Sequence, residues 1–318
     1  MKNWSQDLPG MPCPWREDFQ DAKRAAVQLG IEFKMYDFEK EYRHKVVDYM
    51  LDGFRAGITP NPDIMCNQEI KFKLFLGTAL EDGADVIATG HYASTQDGHL
   101  YMAADDNKDQ TYFLSRVTKE ALSKTLFPLG ELTKPQVREL AKKAGLVTAD
   151  KKESMGICFV GKVGIREFLE QFVEQAPGDI VDDNGKIVGR HDGAIFYTIG
   201  QRQGLHVGGG LPYYVIGKDM KKNEVYVSTN LQDENLWSDT ISLTSTHWIS
   251  GTTNYQLPTT NLMVRTRHRA KLIPVKKLEK LSGSNWKAEL SEEVRALTPG
   301  QSSVFYSGSE CLGGGIVV

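Results

Sequence analysis

Four cysteines stand at positions 13, 66, 158 and 311, too far apart for the paired spacing of a zinc site. Two of them sit in contexts suited to sulfur chemistry. Cys66 lies in TPNPDIMCNQEIKF (59–72), where two prolines fix an extended loop and deliver the thiol to the predicted start of a helix. Unpaired N–H groups and the positive end of the helix dipole would stabilise a thiolate there. Asp63, three residues earlier, is placed to orient a substrate or exchange a proton. The competing reading is a packed cysteine beside a proline turn. Cys158 follows two lysines and Gly156 in KKESMGICF (151–159), and its alternative is a half-buried strand cysteine. Two such thiols, if they meet in space, can pass sulfur and close a disulfide.

Three further segments carry polar groups at positions of interest. ATGHY (88–92) falls at the carboxyl end of a predicted strand, where open α/β sheets bind ligands, although a plain turn reads the same way. DNKDQTYF (106–113) offers Lys108 and Gln110 to phosphate or sugar, or simply opens a solvated helix. Between 261 and 280 stand Arg265, Arg267, Arg269, Lys271, Lys276, Lys277 and Lys280 against Glu279 alone. Read as a strand over 262–269, this run projects Arg265, Arg267, Arg269 and Lys271 from one face, toward a nucleic-acid backbone or toward solvent. Cys311 reads as packing.

The elements that must position these groups change character along the chain. Helix over 19–29, strand over 31–36, helix over 39–55, helix over 67–80 and a buried strand over 84–89 form an α/β layer with a parallel sheet. Two strands are few for so many helices. Thr133 and Gln136 make a capping box for a helix reaching 144, and another helix runs from 165 to about 175. From Pro177 onward, short β runs at 186–188, 194–198, 213–216 and 224–227 predict a small β domain. Runs at 240–242, 262–269, 286–290, 303–306 and 315–318 predict a β-barrel.

Composition limits the function classes. The 318 residues are 40% apolar and 25% charged, room for two or three domains of ordinary globular make-up. The net charge of −3 excludes a wholly basic binder, leaving only local patches for nucleic acid. No apolar run reaches membrane-spanning length and the first 30 residues carry no signal-peptide pattern, so a cytoplasmic location is expected.

The segments MKNW, TPNPDIMCNQEIKF, ATGHY, NKDQTYFL, LFPLGELTKPQVRELA, GICFVG, TIGQRQGL, TPGQSSVFY and CLGGGI, in this order from end to end, resemble the tRNA-specific 2-thiouridylase family. The resemblance implies a PP-loop domain (adenine nucleotide alpha hydrolase-like, Rossmann-like) over 1–163, a small β-rich central domain over 164–230 and a C-terminal β-barrel that binds tRNA over 231–318. The fold class is then α/β plus β. It implies ATP as co-substrate, no structural metal, and adenylation of the wobble uridine in lysine, glutamate and glutamine tRNAs. Sulfur would arrive from a persulfide relay protein or cysteine desulfurase, ride on Cys158, and be freed by Cys66 with a disulfide as product. Asp63 matches the candidate acid/base. Asn61, Pro62 and Asp63 match contacts to the target base. His91, Lys108, Asp109, Gln110, Arg267, His268 and Gln301 match tRNA contacts, and Gly90 and Met1 match ATP contacts. Family members carry a strand and a Ser-Gly-Gly-x-Asp-Ser loop ahead of the segment matching MKNW, which begins this sequence. The expected first domain therefore lacks that strand and phosphate loop, with a short sheet and exposed apolar surface. A tRNA-binding remnant unable to activate ATP is the alternative; a thiol oxidoreductase would leave the basic run unexplained.

Overall fold

The computed structural model describes residues 1–7, 13, 15–151, 164–208, 210–251 and 261–318. Cys158 and the rest of its motif after Lys151 lie outside the described residues.

The first region is helical around a minimal parallel sheet. Strands β1 (Ile87–Ala88) and β4 (Thr125–Leu126) pair in parallel, with Ile87 opposite Thr125. The predicted strand over 31–36 does not form. A single bridge from Lys2 to Asp37 is the only pairing near it among the described residues, and Ile31 and Met35 are exposed. Without a full partner, an apolar extended segment gains no ladder. The strand foreseen over 84–89 shrinks to two residues, with Ile87 buried and Val86 exposed.

The helices are closer to expectation. Trp15–Leu29 forms one, and Thr133 with Gln136 caps another at Lys134–Lys143. The stretch 39–55 is helical throughout, but its middle, Arg43–Asp48, is π-helical. The same happens in the helix over 62–81: Pro62–Met65 and Leu76–Glu81 are α-helical, while Cys66–Phe75 is a π-helix. Ile165–Leu169 ends sooner than the pattern suggests.

A hairpin of β2 (Ser94–Gln96) and β3 (His99–Tyr101) leaves the first region to join the last one. Its Leu100 pairs with Cys311, so the first region and the barrel share a sheet and a core. That core joins Ile64, Phe72, Leu100, Tyr112 and Leu114 to Val304, Tyr306 and Cys311. Each large apolar side chain buried there contributes about 1.5–3 kcal/mol. Cys311 is packing, as expected; burial raises its thiol far above the usual range.

The central region is a four-stranded sheet in the order β6-β5-β8-β7, built from β5 (Gly178–Asp182), β6 (Ile187–His191), β7 (Tyr214–Asp219) and β8 (Glu224–Ser228). The run at 194–198 is not a strand; Ala194–Phe196 is a 3-10 turn. The last region is a closed six-stranded barrel of β9 (Trp237–Trp248), β10 (Leu262–Arg265), β11 (Ile273–Ser282), β12 (Asn285–Arg295), β13 (Ser302–Ser307) and β14 (Glu310–Val317). The order β13-β10-β11-β12-β9-β14 closes through a β13–β14 pairing. Gly314 makes this closure possible. A Cβ there would strike the carbonyl of Ser303 on the neighbouring strand.

Candidate active site

The segment 59–63 is an extended entry to the site helix. Asn61 caps it by accepting from the Ile64 N–H at 3.3 Å, and Pro62 occupies the first turn, where no N–H is needed. The helix thus begins four residues before Cys66, whose own N–H is already donated to the carbonyl of Pro62. Asp63, not Cys66, lies in the first turn. This corrects the expectation that free amides cradle the thiol. Cys66 is 3% exposed, packed in a core with Tyr42, Met50, Ile70, Phe168 and Leu169. Cys13 and Cys311 are free thiols.

Asp63 is pulled two ways. Burial raises its carboxyl above the ordinary value, and the nearby Lys71 cation opposes that rise. Burial wins, so Asp63 holds a proton to higher pH than a solvated aspartate. Lys71 lies further along the same helix, in the π-helical stretch, where the Leu76 N–H reaches back to the carbonyl of Lys71. Such turns are rare and recur at functional sites. Lys71 Nζ donates to His91 Nε2 at 3.4 Å, and His91 Nδ1 lies 2.9 Å from Thr89 Oγ1. With Nε2 accepting, the proton sits on Nδ1 and the ring is neutral. Burial, then Lys71, pushes the His91 pKa down to about 3.

The 107–114 segment serves mainly as a brace. The Asp109 carboxylate is buried, accepting from Thr111 Oγ1 at 2.8 Å, from the Ala103 N–H at 3.2 Å, and pairing with Arg265 of β10 at 3.2 Å. Gln110 Oε1 accepts from the Tyr92 N–H at 2.9 Å and so holds the ATGHY loop. Lys108 is half-buried beside them. Asn67 Nδ2, one residue after Cys66, donates to the carbonyl of Phe113 at 2.9 Å, while the Phe113 ring packs on His268 with centroids 4.5 Å apart.

The basic run is not a one-faced strand. Strand β10 stops at Arg265, and Arg269 has a positive φ of 62°, which breaks the alternation. Arg265 turns to Asp109, and Lys271 pairs with Glu292 at 2.7 Å. Arg267 Nη2 caps the carbonyl of Ala296 at 2.8 Å and donates to Thr298 Oγ1 at 2.7 Å. Gln301 Nε2 donates to the carbonyl of Thr59 at 2.7 Å.

Asn61, Pro62, Asp63, Cys66 and His91 therefore gather on or beside one helix. Gln301 reaches that helix through Thr59, and His268 reaches it through Phe113 and Asn67. Gly90, which precedes His91, lies just past the carboxyl end of β1, with only Leu129 within 4 Å of a notional Cβ, at 3.9 Å. Met1 precedes the bridge from Lys2 to Asp37. Lys71 and Thr59 escaped the sequence reading. A lysine in QEIKFK (68–73) looks like any solvated helix cation, and the clamp on Thr59 spans 242 positions to Gln301.

The chain is thus an α/β layer, a small β domain and a closed barrel in that order, with the Asn61-capped helix in the first of them. Residues 1–162 match the tRNA methyl transferase HUP domain, 166–229 the tRNA methyl transferase PRC-barrel domain and 238–317 the aminomethyltransferase beta-barrel domain. The tRNA-specific 2-thiouridylase MnmA of Bacillus cytotoxicus is 45% identical over 322 residues, covering 100% of this chain and 86% of the relative. The enzymes of the same name from Bacillus anthracis and Bacillus mycoides match equally, at 45% over 322 residues. The chain belongs to the tRNA-specific 2-thiouridylase family. The domain descriptions speak of methyl transfer, but whole-chain identity is the narrower statement, and these relatives are sulfurtransferases. Among the described residues no helix is long and apolar enough to cross a membrane, and no group of three or more His, Cys, Asp or Glu gathers as a metal site.

Proposed function

We propose that this chain catalyses ATP-dependent 2-thiolation of the wobble uridine of lysine, glutamate and glutamine tRNAs, with a cytoplasmic location. The carrying observation is that Asp63 stands one turn before the buried Cys66 on the helix that Asn61 caps, with His91 held beside it by Lys71. In this reading residues 1–163 hold the chemistry, 164–230 brace it, and 231–318 with Lys108, Arg267 and His268 meet the tRNA. ATP is a substrate that makes the uridine C2 oxygen a leaving group as AMP. The open space at Gly90 fits a nucleotide approaching a strand end, with Met1 as a second contact.

The terminal sulfur of a persulfide on Cys158 attacks C2 and AMP departs. Cys66 then attacks the Cys158 sulfur, the electron pair of the breaking S–S bond goes to the departing sulfur, and 2-thiouridine leaves with a Cys66–Cys158 disulfide behind. A thiol reductant resets the pair, and a persulfide relay protein or cysteine desulfurase reloads Cys158. The ionised Asp63 carboxylate, made more basic by burial, takes the Cys66 proton as the thiol attacks. Ile165–Leu169, just beyond the Cys158 motif, packs in the same core as Cys66, which supports the two thiols meeting. The test is nucleoside mass spectrometry of tRNA with an unmodified wobble uridine, incubated with ATP, a persulfide donor and this chain. The expected product is 2-thiouridine; bound tRNA without thiouridine would favour the binding remnant instead.

A further inference from the structure

The loop that presents Asp63 and Cys66 is held at one residue by both other domains. Thr59 donates its N–H to the carbonyl of Pro299 at 2.8 Å and accepts from Gln301 Nε2 at 2.7 Å, both in the barrel turn 298–301. Its hydroxyl meets that of Thr198, in the central domain, at 3.2 Å. The barrel turn is itself fixed, since Gly300 donates to the carbonyl of Val317 at 2.9 Å and Val317 donates back to Gln301 at 2.8 Å. Gly300 is buried with φ at +92°, and a Cβ there would lie 2.9 Å from the Thr59 backbone, so the two chains touch as closely as glycine permits. Arg267 ties the barrel side to the central domain through the carbonyl of Ile199 at 3.4 Å. Immediately beyond Thr59, Pro60 packs against Gly53 of the neighbouring helix, and Asn61 starts the site helix.

We propose that Thr59 and Gln301 are positioning residues. They form a three-domain clamp that sets the register of the Asp63–Cys66 helix start, so Gln301 acts on the site through the loop. The proposal deepens the thiolation reading above and rests on it for its catalytic consequence, while its structural consequence is separate. Two short bonds from a rigid barrel turn fix the peptide two residues before the helix cap. Breaking one frees the loop to swing, which exposes the buried Cys66 thiol and misaligns Asp63 without removing any tRNA contact.

The test uses the full chain without ATP. Gln301→Met removes the donor to Thr59 while keeping side-chain length, and Thr59→Val removes only the hydroxyl contact. Iodoacetamide labelling of Cys66 is followed by peptide mass spectrometry, alongside tRNA affinity and, where the wild type is active, kcat and KM. Gln301→Met is expected to label Cys66 about fivefold faster, the factor set by losing one hydrogen bond, with tRNA affinity unchanged and kcat reduced more than KM. Thr59→Val moves labelling in the same direction by a smaller factor, and it decides the matter if Gln301→Met does not fold. Unchanged Cys66 labelling overturns the clamp, and with weakened tRNA binding it makes Gln301 a direct contact. An inactive wild type sinks the thiolation reading but leaves the labelling result standing.

Discussion

The barrel and the site-bearing region solve the problem of order in opposite ways. The barrel closes its own hydrogen-bond ladder and leaves no edge, with Trp248, Val264, Leu290 and Phe305 sealed in one core. Among the described residues the first region has a parallel sheet of two short strands, and Val27, Ile31, Leu126 and Val147 stand exposed around it. Its site residues are ordered by contacts from outside it: Arg265 on Asp109, Gln301 on Thr59, and a shared core with β13 and β14. In the proposed function, chemistry is placed on the part that depends on its neighbours. Tightening or loosening the domain contacts should therefore change catalysis before it changes the barrel.

Variants sort along that contrast. Cys66→Ser should lower multiple-turnover thiolation by ~10³-fold or more with tRNA affinity kept, since the barrel is untouched; a gel-shift and a nucleoside assay together check it. Asp109→Ala leaves Arg265 buried beside a missing partner and should cost about 3–5 kcal/mol by urea unfolding. The double replacement Asp109→Leu with Arg265→Met should recover much of that loss. If the single variant is as stable as wild type, the ion pair is not what joins the two regions. Gly314→Ala forces a methyl group against the carbonyl of Ser303 and should cost about 1–3 kcal/mol, read as a lower midpoint without faster Cys66 labelling.

Protonation separates the regions more finely. His91 has a folded pKa near 3, below its unfolded value of about 6.5. Between those values the unfolded chain binds the extra proton, so its contribution to stability is lost as pH falls below about 6.5, at up to about 1.4 kcal/mol per pH unit. His91→Gln should flatten that slope in acid unfolding curves. Asp63 runs the other way: burial raises its pKa, so ionisation at neutral pH opposes folding. Asp63→Asn should raise the melting temperature by about 2 °C while abolishing thiolation, the smallest stability effect and a sign that function is held there against folding.

The sequence reading found what local rules govern. The capping box at Thr133 and Gln136, the helix over 19–29 (which in fact starts one turn earlier, at Trp15) and most strands after residue 177 follow from spacing and turn residues. It failed where tertiary context decides. The 31–36 run has strand composition but no partner, 194–198 has strand composition yet turns, and the strand at Ile273–Ser282 was hidden by charged residues on an exposed face. In the site, Asp63 and Cys66 were legible because proline and cysteine are uncommon and local. The role of Asp109 as a brace was not, because its partner Arg265 is 156 residues away. The π-helical turn carrying Lys71 leaves no residue signature at all.

The central claim is that two thiols act on one uridine, and it can be read from a single turnover. Persulfide-loaded chain is mixed with ATP and tRNA, quenched with acid, and mapped by non-reducing peptide mass spectrometry. One Cys66–Cys158 disulfide should appear for each 2-thiouridine formed, and none in the absence of tRNA. Thiouridine accumulating with Cys66 still free, at the same rate in Cys66→Ser, would contradict the account.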